Sequence, residues 1–490
     1  MSLTPLSRHE AERLRRLFLD AGYTEKNLRA GIKLREPGSG HLRNLPRLHD
    51  VTSVPSCTSA LLRWFWGGVT QDAVSVTPHL PNWFIPLATE CGLLRREREG
   101  LVPEVLLLPV EGFLVAADHL SKIEAVDSEL VLWTNPTTRL LSDFTVRRPS
   151  SATLDLGTGN GIQALLTAAH SKTVVATDLN PRAINLAVFN MALNGVENVE
   201  CLLGDSFEPV AGRKFDLIVC NPPYYLAPSH QYFFCHSKME LDGLCRSLAK
   251  QAPAYLNQGG YLQMLCEWVE IRGQSWEQRV AEWCADTGCD SWVIKRCSQE
   301  PSEYAEQRIR QTVSSSEHDA DLYAEYMDYF RGKNVVAIHG GMITLRRREG
   351  RIWHLVETIP QAPKHPFGDS VQRIFAGRDF LDAHPKDADL LAAKVKLSDD
   401  ARLHQTMRQH ERGWKRESFD LRLASGFEFF AELQPVLADF LVRCDGTHTI
   451  GEVITEFASR VNAPKAELQE HCLKVVRRLV ERGFLLCAAE

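Results

Sequence analysis

One stretch, residues 154–225, constrains the fold more than any other part of this 490-residue chain. It opens with Leu-Asp-Leu-Gly-Thr-Gly-Asn-Gly at residues 154–161, which is typical of a short buried strand that enters a glycine-rich turn and then a helix. Glycines in such a turn tolerate positive φ and let backbone N–H groups approach a ligand where a Cβ atom would clash. The turn alone is a weak signal, because dinucleotide-binding proteins and many ordinary turns share it.

Polar residues also end the next three predicted strands. Asp178 ends the second strand, about 20 residues after the glycine turn, where an acid suits ribose hydroxyls. Asp205 ends the third strand and could accept a hydrogen bond from an amine, and the fourth strand runs into Asn-Pro-Pro-Tyr at residues 221–224. An open α/β sheet binds its ligands at the carboxyl ends of its strands, so these strand ends predict a single ligand site.

Together these motifs resemble those of class I S-adenosylmethionine-dependent methyltransferases of the Asn-Pro-Pro-Tyr subgroup, over residues 140–350. Such enzymes methylate planar nitrogens, either the exocyclic amine of adenine or guanine or the side-chain amide of glutamine. Gly-Asp-Ser-Phe-Glu-Pro at residues 204–209 is especially similar to the release-factor glutamine methyltransferases. The resemblance implies S-adenosyl-L-methionine as the cofactor and methyl transfer to nitrogen as the reaction.

The pattern alternates between strand and helix from residue 153, which predicts a parallel sheet with crossover helices. The resemblance implies an α/β fold with a Rossmann-like, seven-stranded methyltransferase sheet, flanked by two smaller, mainly helical, winged-helix-like domains. The predicted division is an N-terminal domain with a small sheet (1–145), the methyltransferase domain (146–352), a linker region (353–400) and a C-terminal domain (401–490).

The resemblance also implies which residues bind the cofactor. They lie in the glycine loop and at the strand ends: Asp155, Gly157, Thr158, Gly159, Gly161, Asp178, Leu179, Asp205, Ser206 and Asn221. Asp155 is expected to orient the loop or to meet the amino group of the methionine portion, and Asp178 to accept from the ribose hydroxyls. Asp205 is expected to hold the adenine amine, with Ser206 or Phe207 beside the ring.

Catalysis is assigned to Asn221, Pro222 and Tyr224. A planar nitrogen is a poor nucleophile because its lone pair is delocalised, and two acceptors must hold its hydrogens as it pyramidalises. The Asn221 side-chain carbonyl and the Pro222 backbone carbonyl suit that role, since consecutive prolines fix φ, and Tyr224 can stack on the acceptor group. The methyl carbon is already electrophilic, so no metal is expected. His230 and His236 fit ordinary loop histidines better than a general base.

In the N-terminal part, the patterns predict a helix over residues 8–34, further helices at 60–66 and 83–91, and a hairpin at 92–102. This order is that of a winged-helix unit, a kind of domain that often binds nucleic acid. The tip carries arginines that could contact phosphate, but interspersed glutamates favour a solvated tip. The arginines are Arg95, Arg96 and Arg98.

Residues 131–133 are predicted to form a strand of a small sheet that leads to the methyltransferase domain. Thr145 and Arg147 follow, and could equally contact the cofactor or serve as linker residues. Residues 301–330 are predicted to be a helical insertion before the last strand. Arginines follow that strand, and a charged strand end is favoured there over an RNA contact: Arg346, Arg347, Arg348 and Arg351.

Prolines between residues 358 and 369 predict a linker. Beyond it, a helix, an Asp-Gly turn, a second helix, a third helix over 468–482 and a short strand resemble a winged-helix module. One face of the third helix is basic, and most such faces are simply solvated: Lys474, Arg477, Arg478 and Arg482.

Composition narrows the functional classes. The formal net charge of −6 gives no overall basic field, so a nucleic-acid substrate would have to meet local patches. The 13 cysteines include no C-x-x-C pair, and several, such as Cys220 and Cys266, fall in apolar strands, which indicates reduced, buried thiols. The N-terminus lacks the apolar core of a signal peptide, and no run approaches a membrane span. We therefore expect a cytoplasmic enzyme.

Two substrate classes remain open. The detail at residues 204–209 and the lack of overall basic charge favour the glutamine side-chain amide of a protein of the translation machinery. The flanking winged-helix-like units favour an exocyclic base amine in RNA or DNA. A non-catalytic binding module is disfavoured, because every residue type that the donor site needs is present.

Overall fold

The computed structural model describes residues 2–31, 41–119, 129–228, 239–311, 316–359, 363–364 and 366–487. The chain divides into two compact units, Met1–Ser142 with Arg148–Thr358 and Asp143–Arg147 with Ile359–Glu490. The N-terminal part and the methyltransferase sheet therefore belong to one unit. The division into four parts expected from the sequence remains a prediction.

The N-terminal part consists of short helices and two hairpins. The helices are α1 (Arg8–Asp20), α2 (His41–Val51), α3 (Cys57–Phe65), α4 (Ala73–Val76), α5 (Phe84–Glu90) and α6 (Pro136–Phe144). The hairpins are β1 (Leu94–Glu97) with β2 (Gly100–Pro103) and β3 (Val105–Val110) with β4 (Phe113–Asp118). The predicted order of helices followed by a hairpin is present. The winged-helix interpretation of this part remains a prediction.

Two predictions for this part were wrong. The helix expected over residues 8–34 ends at Asp20, because Gly22 adopts the left-handed conformation (φ 69°) that terminates helices. Residues 131–133 do not form a strand, although Val131 exchanges hydrogen bonds with Asp118. Their apolar side chains are buried because they lie over a cavity.

The central sheet has eight strands in the order β12-β10-β11-β9-β8-β5-β6-β7. They are β5 (Ser150–Leu156), β6 (Ser171–Asp178), β7 (Val199–Leu203), β8 (Phe215–Cys220), β9 (Leu256–Ile271), β10 (Cys289–Gln299), β11 (Val335–Arg347) and β12 (His354–Thr358). Strands β5 to β9 are parallel, whereas β11 is antiparallel to both β9 and β10. The expected number of seven was wrong, because β12 adds to the edge, parallel to β10.

Helices connect these strands: α7 (Ile162–Ala168), α8 (Pro181–Asn194), α9 (Gly243–Gln251), α10 (Trp276–Cys284), α11 (Pro301–Gln311) and α12 (Ser316–Gly332). Helix α8 begins as its sequence predicts, with Asn180 as N-cap and Pro181 in the first turn. The chain leaves β5 for β6 on one side and later returns to place β8 on the other. An open α/β sheet has its ligand crevice where the winding reverses in this way, outside the carboxyl end of β5.

The described residues of the second unit form five helices and two three-stranded sheets. Its helices are α13 (Gly368–Ala383), α14 (Asp387–Ala392), α15 (Pro435–Val442), α16 (Ile450–Val461) and α17 (Lys465–Glu481). Its sheets have the orders β17-β13-β18 and β14-β15-β16. Their strands are β13 (Lys394–Leu397), β14 (Ala401–His410), β15 (Gly413–Leu423), β16 (Phe430–Glu432), β17 (Asp445–Thr449) and β18 (Leu485–Cys487).

Residues 353–400, expected to be a linker region, contain regular secondary structure, and their assignment as a linker remains a prediction. Helix α13 begins soon after Pro366, and Pro385 lies between α13 and α14. Strand β12, helix α14 and strand β13 also fall inside the expected linker. In neither unit does the described part of the chain contain a helix with the length and apolarity that crossing a membrane requires.

Candidate active site

A cavity of about 490 Å³ lies at the carboxyl ends of β5, β6 and β8. All residues assigned by sequence to catalysis or to the cofactor line it, with the exception of Gly161. The cavity therefore brings together the glycine loop, the acids that end two strands and the Asn-Pro-Pro-Tyr segment. Thr145 and Arg147 are not part of its lining, and His230 and His236 lie outside the described residues.

The glycine loop shows what each glycine contributes. Gly157 and Gly159 have φ of 75° and 56°, which favours glycine. A Cβ atom on Gly157 would meet no protein atom within 4 Å, so this part of the loop is open to a ligand. Gly161 differs, because a Cβ there would lie 2.9 Å from Cε of Met191 and 3.1 Å from Cα of Ala187. Gly161 therefore allows the loop to pack closely on α8, and its contact with the cofactor stays a prediction.

Asp155, at the end of β5, holds the loop to the helix that follows. Its Oδ2 accepts hydrogen bonds from the Thr158 hydroxyl (2.6 Å) and from the backbone N–H of Ala164 in α7 (3.0 Å). Burial, with a smaller effect of the nearby Asp178 charge, raises the pKa of Asp155 to about 7, against the effect of these hydrogen bonds. The side chain thus has the loop-orienting geometry that was one of its two predicted roles.

This raised pKa predicts a pH-dependent stability. An unfolded aspartate titrates near pH 4, so the folded chain binds the extra proton between about pH 4 and pH 7. The stability that the group contributes is complete below that window and is lost as the pH rises through 7. We expect Asp155→Asn, which keeps a carbonyl acceptor, to gain melting temperature relative to wild type from about pH 5 to pH 8. Thermal unfolding of both proteins across this pH range measures the difference in melting temperature. A difference that does not change with pH would contradict the prediction.

Asp178 caps the same loop from the end of β6. Its Oδ2 accepts from the backbone N–H of Gly159 and its Oδ1 from that of Asn180, both at 2.9 Å. Burial raises the pKa of Asp178, although these backbone hydrogen bonds favour the carboxylate. A carboxylate has about four lone-pair sites, so two such bonds leave acceptor capacity toward the cavity. Leu179, which follows, also lines the cavity and is more than half exposed.

The end of β7 supplies Asp205 and Ser206. Ser206 has a positive φ of 48°, and its hydroxyl donates to Oδ1 of Asp205 at 2.8 Å. Both side chains lie at the cavity, and Asp205 is exposed. Phe207, the alternative neighbour for an adenine ring, is fully buried and stacks on Tyr255 with ring centroids 4.4 Å apart. It is therefore a core residue, and Ser206 remains the candidate.

The Asn-Pro-Pro-Tyr segment follows β8 at the cavity wall. The side-chain oxygen of Asn221 is buried there and accepts no hydrogen bond from any residue that the structure describes. Pro222 is buried, and the Tyr224 ring lies 5.7 Å from that of Tyr225. Burial raises the pKa of Tyr224 well above its ordinary value, so the ring stays neutral. The segment presents an unsatisfied acceptor beside an aromatic face.

Residues 130–138 cover the cavity, and the sequence did not reveal this. Side-chain amides of three residues hold this segment, and Glu129 directly before it, by their backbone carbonyls. Asn160 donates to Leu132 (3.0 Å), Gln163 to Thr138 (2.8 Å) and Asn180 to Glu129 (2.8 Å). The covering residues that line the cavity are Leu130, Val131, Leu132, Trp133, Asn135, Thr137 and Thr138. These contacts explain the buried apolar side chains that suggested a strand at 131–133.

Helix α11, within the predicted insertion, contacts the two residues that directly follow the Asn-Pro-Pro-Tyr segment. The Arg308 guanidinium lies 3.5 Å from the centroid of the Tyr225 ring and forms a buried ion pair with Glu267 at 2.5 Å. The Tyr304 hydroxyl donates to Glu267 at 2.6 Å and accepts from the backbone N–H of Leu226 at 3.0 Å. Burial raises the pKa of Glu267 despite these partners. No local motif could have signalled a network that joins three distant stretches.

Several basic residues singled out in the sequence have structural partners. Arg95 pairs with Glu97 and with Glu104 (2.5 Å), as a solvated hairpin requires. Arg346 forms a buried pair with Asp290 at 2.6 Å. Further pairs follow the same pattern: Arg347 with the Pro253 carbonyl, Arg348 with Asp290, Lys474 with Glu470 and Arg477 with Asp387. These contacts agree with the favoured interpretation of charged surfaces and strand ends.

Comparison with known proteins shows which domains and enzymes this chain resembles. Residues 134–269 match the methyltransferase small domain, and residues 372–487 match a domain of unknown function (DUF7782). The release factor glutamine methyltransferase of Cereibacter sphaeroides is 38% identical over 211 residues, which cover 39% of this chain and 71% of that enzyme. The Xylella fastidiosa enzyme of the same name is 37% identical over 127 residues, 23% of this chain and 46% of that one.

Two further matches are more distant. The ribosomal protein uL3 glutamine methyltransferase of Bradyrhizobium diazoefficiens is 34% identical over 127 residues, which cover 23% of this chain and 39% of that enzyme. Among solved structures, a methyltransferase from Pyrococcus furiosus aligns with 44% of this chain and 85% of its own, at 18% identity and a TM-score of 0.28. That structural overlap is too weak to carry further weight.

The fold, the cavity and these matches define a class I S-adenosylmethionine-dependent methyltransferase, which confirms the predicted enzyme class and cofactor. The chain belongs to the methyltransferase family that includes the release factor glutamine methyltransferases. The matched region spans only part of these relatives, from about half of the Xylella enzyme to 71% of the Cereibacter enzyme.

Proposed function

We propose that this enzyme methylates a planar nitrogen, with the side-chain amide of a glutamine in a protein of the translation machinery as substrate. One observation carries the proposal, namely the buried and unsatisfied side-chain oxygen of Asn221 at the cavity wall. A buried acceptor without a donor costs about 1–3 kcal/mol. An N–H group of the substrate would supply the missing hydrogen bond where the methyl group is transferred.

The cavity suits the cofactor in shape and in polarity. The open side of Gly157 leaves room for the methionine portion against the backbone, and Asp178 has spare acceptor sites for the ribose hydroxyls. Asp205 and Ser206 lie where they could meet the adenine amine and ring. Thr158 and Leu179 complete this proposed cofactor surface. In this proposal Asp155 acts indirectly, because its side chain holds the glycine loop in place.

The bound cofactor supplies an electrophilic methyl carbon on a sulfonium, and the residues of the chain must make the amide nitrogen nucleophilic. In the proposed geometry, the side-chain oxygen of Asn221 and the backbone carbonyl of Pro222 accept the two N–H hydrogens. This directs the lone pair toward the methyl carbon, and both hydrogen bonds strengthen as positive charge grows on nitrogen. Tyr224 stacks on the planar group, and the neutral phenol adds no competing charge.

The preference for glutamine rests on the relatives, whose names state glutamine of release factors and of ribosomal protein uL3. The same two acceptors would also fit the exocyclic amine of adenine or guanine, so the substrate class needs a direct test. The enzyme is incubated with tritiated-methyl cofactor and cell lysate, and samples are then treated with nuclease or with protease. We expect protease alone to release the label, and peptide mass spectrometry to place it on glutamine. Release by nuclease alone would overturn the protein substrate.

A second prediction concerns cofactor affinity. Asp178→Ala removes a charge-assisted acceptor, and such hydrogen bonds are worth about 1.5–3 kcal/mol, so cofactor binding should weaken at least roughly tenfold. Titration calorimetry measures the affinity. Asp216→Ala is a matched control, since this acid accepts from Ser151 and Asn257 away from the cavity. Unchanged affinity in Asp178→Ala would remove this residue from the cofactor site.

A further inference from the structure

Strands β14 and β15 of the second unit form a hairpin whose outer part is exposed to solvent along its whole length. Every residue from Arg402 to Glu417 is exposed, whereas Phe419 and Leu421 near the hairpin base are buried in the core of the unit. The outer part thus contributes little to the hydrophobic core. A long, solvated two-stranded ribbon is marginally stable by itself, so its side chains call for another explanation.

The charge on this ribbon is one-sided. Residues 402–417 include five arginines or lysines and two glutamates, although the whole chain carries a net charge of −6. Arg408 lies directly opposite Lys415 in the strand register, and like charges in that position destabilise a hairpin. Glu417 lies 3.6 Å from Arg408, and both side chains are more than half exposed. This ion pair therefore offsets little of the repulsion between Arg408 and Lys415.

An aromatic side chain accompanies these cations. Trp414 is 71% exposed next to the hairpin turn, while Trp64, Trp268, Trp283 and Trp292 are fully buried. Its register partner is Gln409, and Arg416 lies two residues along the same strand, on the same face. The tip therefore presents an exposed indole and an arginine on one face, and the Arg408–Lys415 pair on the other.

We propose that the tip of this hairpin binds single-stranded nucleic acid. Exposed bases stack on aromatic side chains without sequence preference, and nearby lysines and arginines follow the phosphates, which matches the residues found here. A membrane surface would need an apolar face separated from the cations, but cations occupy both faces of this ribbon. An acidic peptide would use the charges and leave the indole without a partner. This inference goes beyond the proposed methyl transfer and does not depend on it.

The test uses the full chain and a fluorescein-labelled oligonucleotide of about 12 nucleotides, within the range that such surfaces cover. RNA and DNA of mixed sequence are compared by fluorescence anisotropy, to distinguish the two sources of the same chemistry. Trp414→Ala should weaken binding roughly tenfold or more, because one stacked base is lost. Arg408→Glu with Lys415→Glu should weaken it further and reduce its dependence on salt.

Phe430→Ala is the matched control, since it removes an exposed aromatic side chain from β16 of the same sheet, away from the tip. Its binding should equal that of wild type, and the melting temperature of every variant should be unchanged because the altered side chains are exposed. Absence of binding by wild type would overturn the proposal, as would binding that the tip variants leave intact. Equal binding of duplex RNA, or of a poly-glutamate peptide, would overturn the assignment to single strands.

Discussion

Replacing Asn221 by alanine is expected to slow methyl transfer about 100-fold while cofactor affinity remains nearly intact. The reason is that its buried oxygen would bond the acceptor nitrogen most strongly during transfer, and losing one such hydrogen bond typically costs about 3 kcal/mol in the transition state. Single-turnover methyl transfer measures the rate, and calorimetric titration of the cofactor measures binding. A loss in both would point to misfolding of the segment instead of a lost transition-state contact.

Asn221→Asp sharpens this test, because it keeps an acceptor but introduces a negative charge near the sulfonium. We expect this variant to be slow as well, with a change in cofactor affinity that the alanine variant lacks. Near-normal turnover in Asn221→Ala would mean that the segment is only a turn after β8. The assignment of a planar nitrogen would then fall, although the methyltransferase class would stand.

The second large effect is expected at Arg308, which does not line the cavity itself but packs on Tyr225, which does. Arg308→Ala leaves Glu267 buried without its cation, and breaking a buried pair in this way typically destabilises a protein by about 3–5 kcal/mol. We expect a clear fall in the melting temperature of the first unit. The rate should also fall, because Tyr225 and Leu226 lose the network that fixes them.

Two comparisons separate these causes. Arg310→Ala, on the same helix, removes an exposed pair with Glu306 and should change stability by no more than about 0.5 kcal/mol. The double change of Arg308→Met with Glu267→Leu removes both charges and should restore most of the stability. If the double variant is stable but slow, Arg308 positions the segment. If its rate is normal, the network serves folding alone.

The strand ends could be predicted from sequence because their signals are local. The first strand, the glycine turn and the following helix lie within about a dozen residues of one another. Asp178 and Asn221 likewise lie at or directly after the ends of the strands that carry them. Sheet topology then brings those ends together without further information. The same local logic fails for Gly161, whose role is set by Met191 and Ala187 on another helix.

What could not be predicted depends on contacts between distant stretches. The cover at residues 130–138 is recognisable only from the amides of Asn160, Gln163 and Asn180 that bind its backbone. Its apolar side chains fit a strand equally well, because burial against a sheet and burial over a cavity leave the same pattern. The helix α13 was missed for a related reason, since a few prolines precede it and obscure its pattern.

The backbone hydrogen bonds of the cover segment have a consequence for how this enzyme can be divided or recombined. Residues 130–138 precede strand β5 in the chain, and they form one wall of the cavity. Exchanging the N-terminal part for that of a relative would therefore replace part of the cavity itself, together with whatever selects the substrate. A catalytic fragment that begins at β5 would therefore lack this wall, and its cavity would be open to solvent on that side.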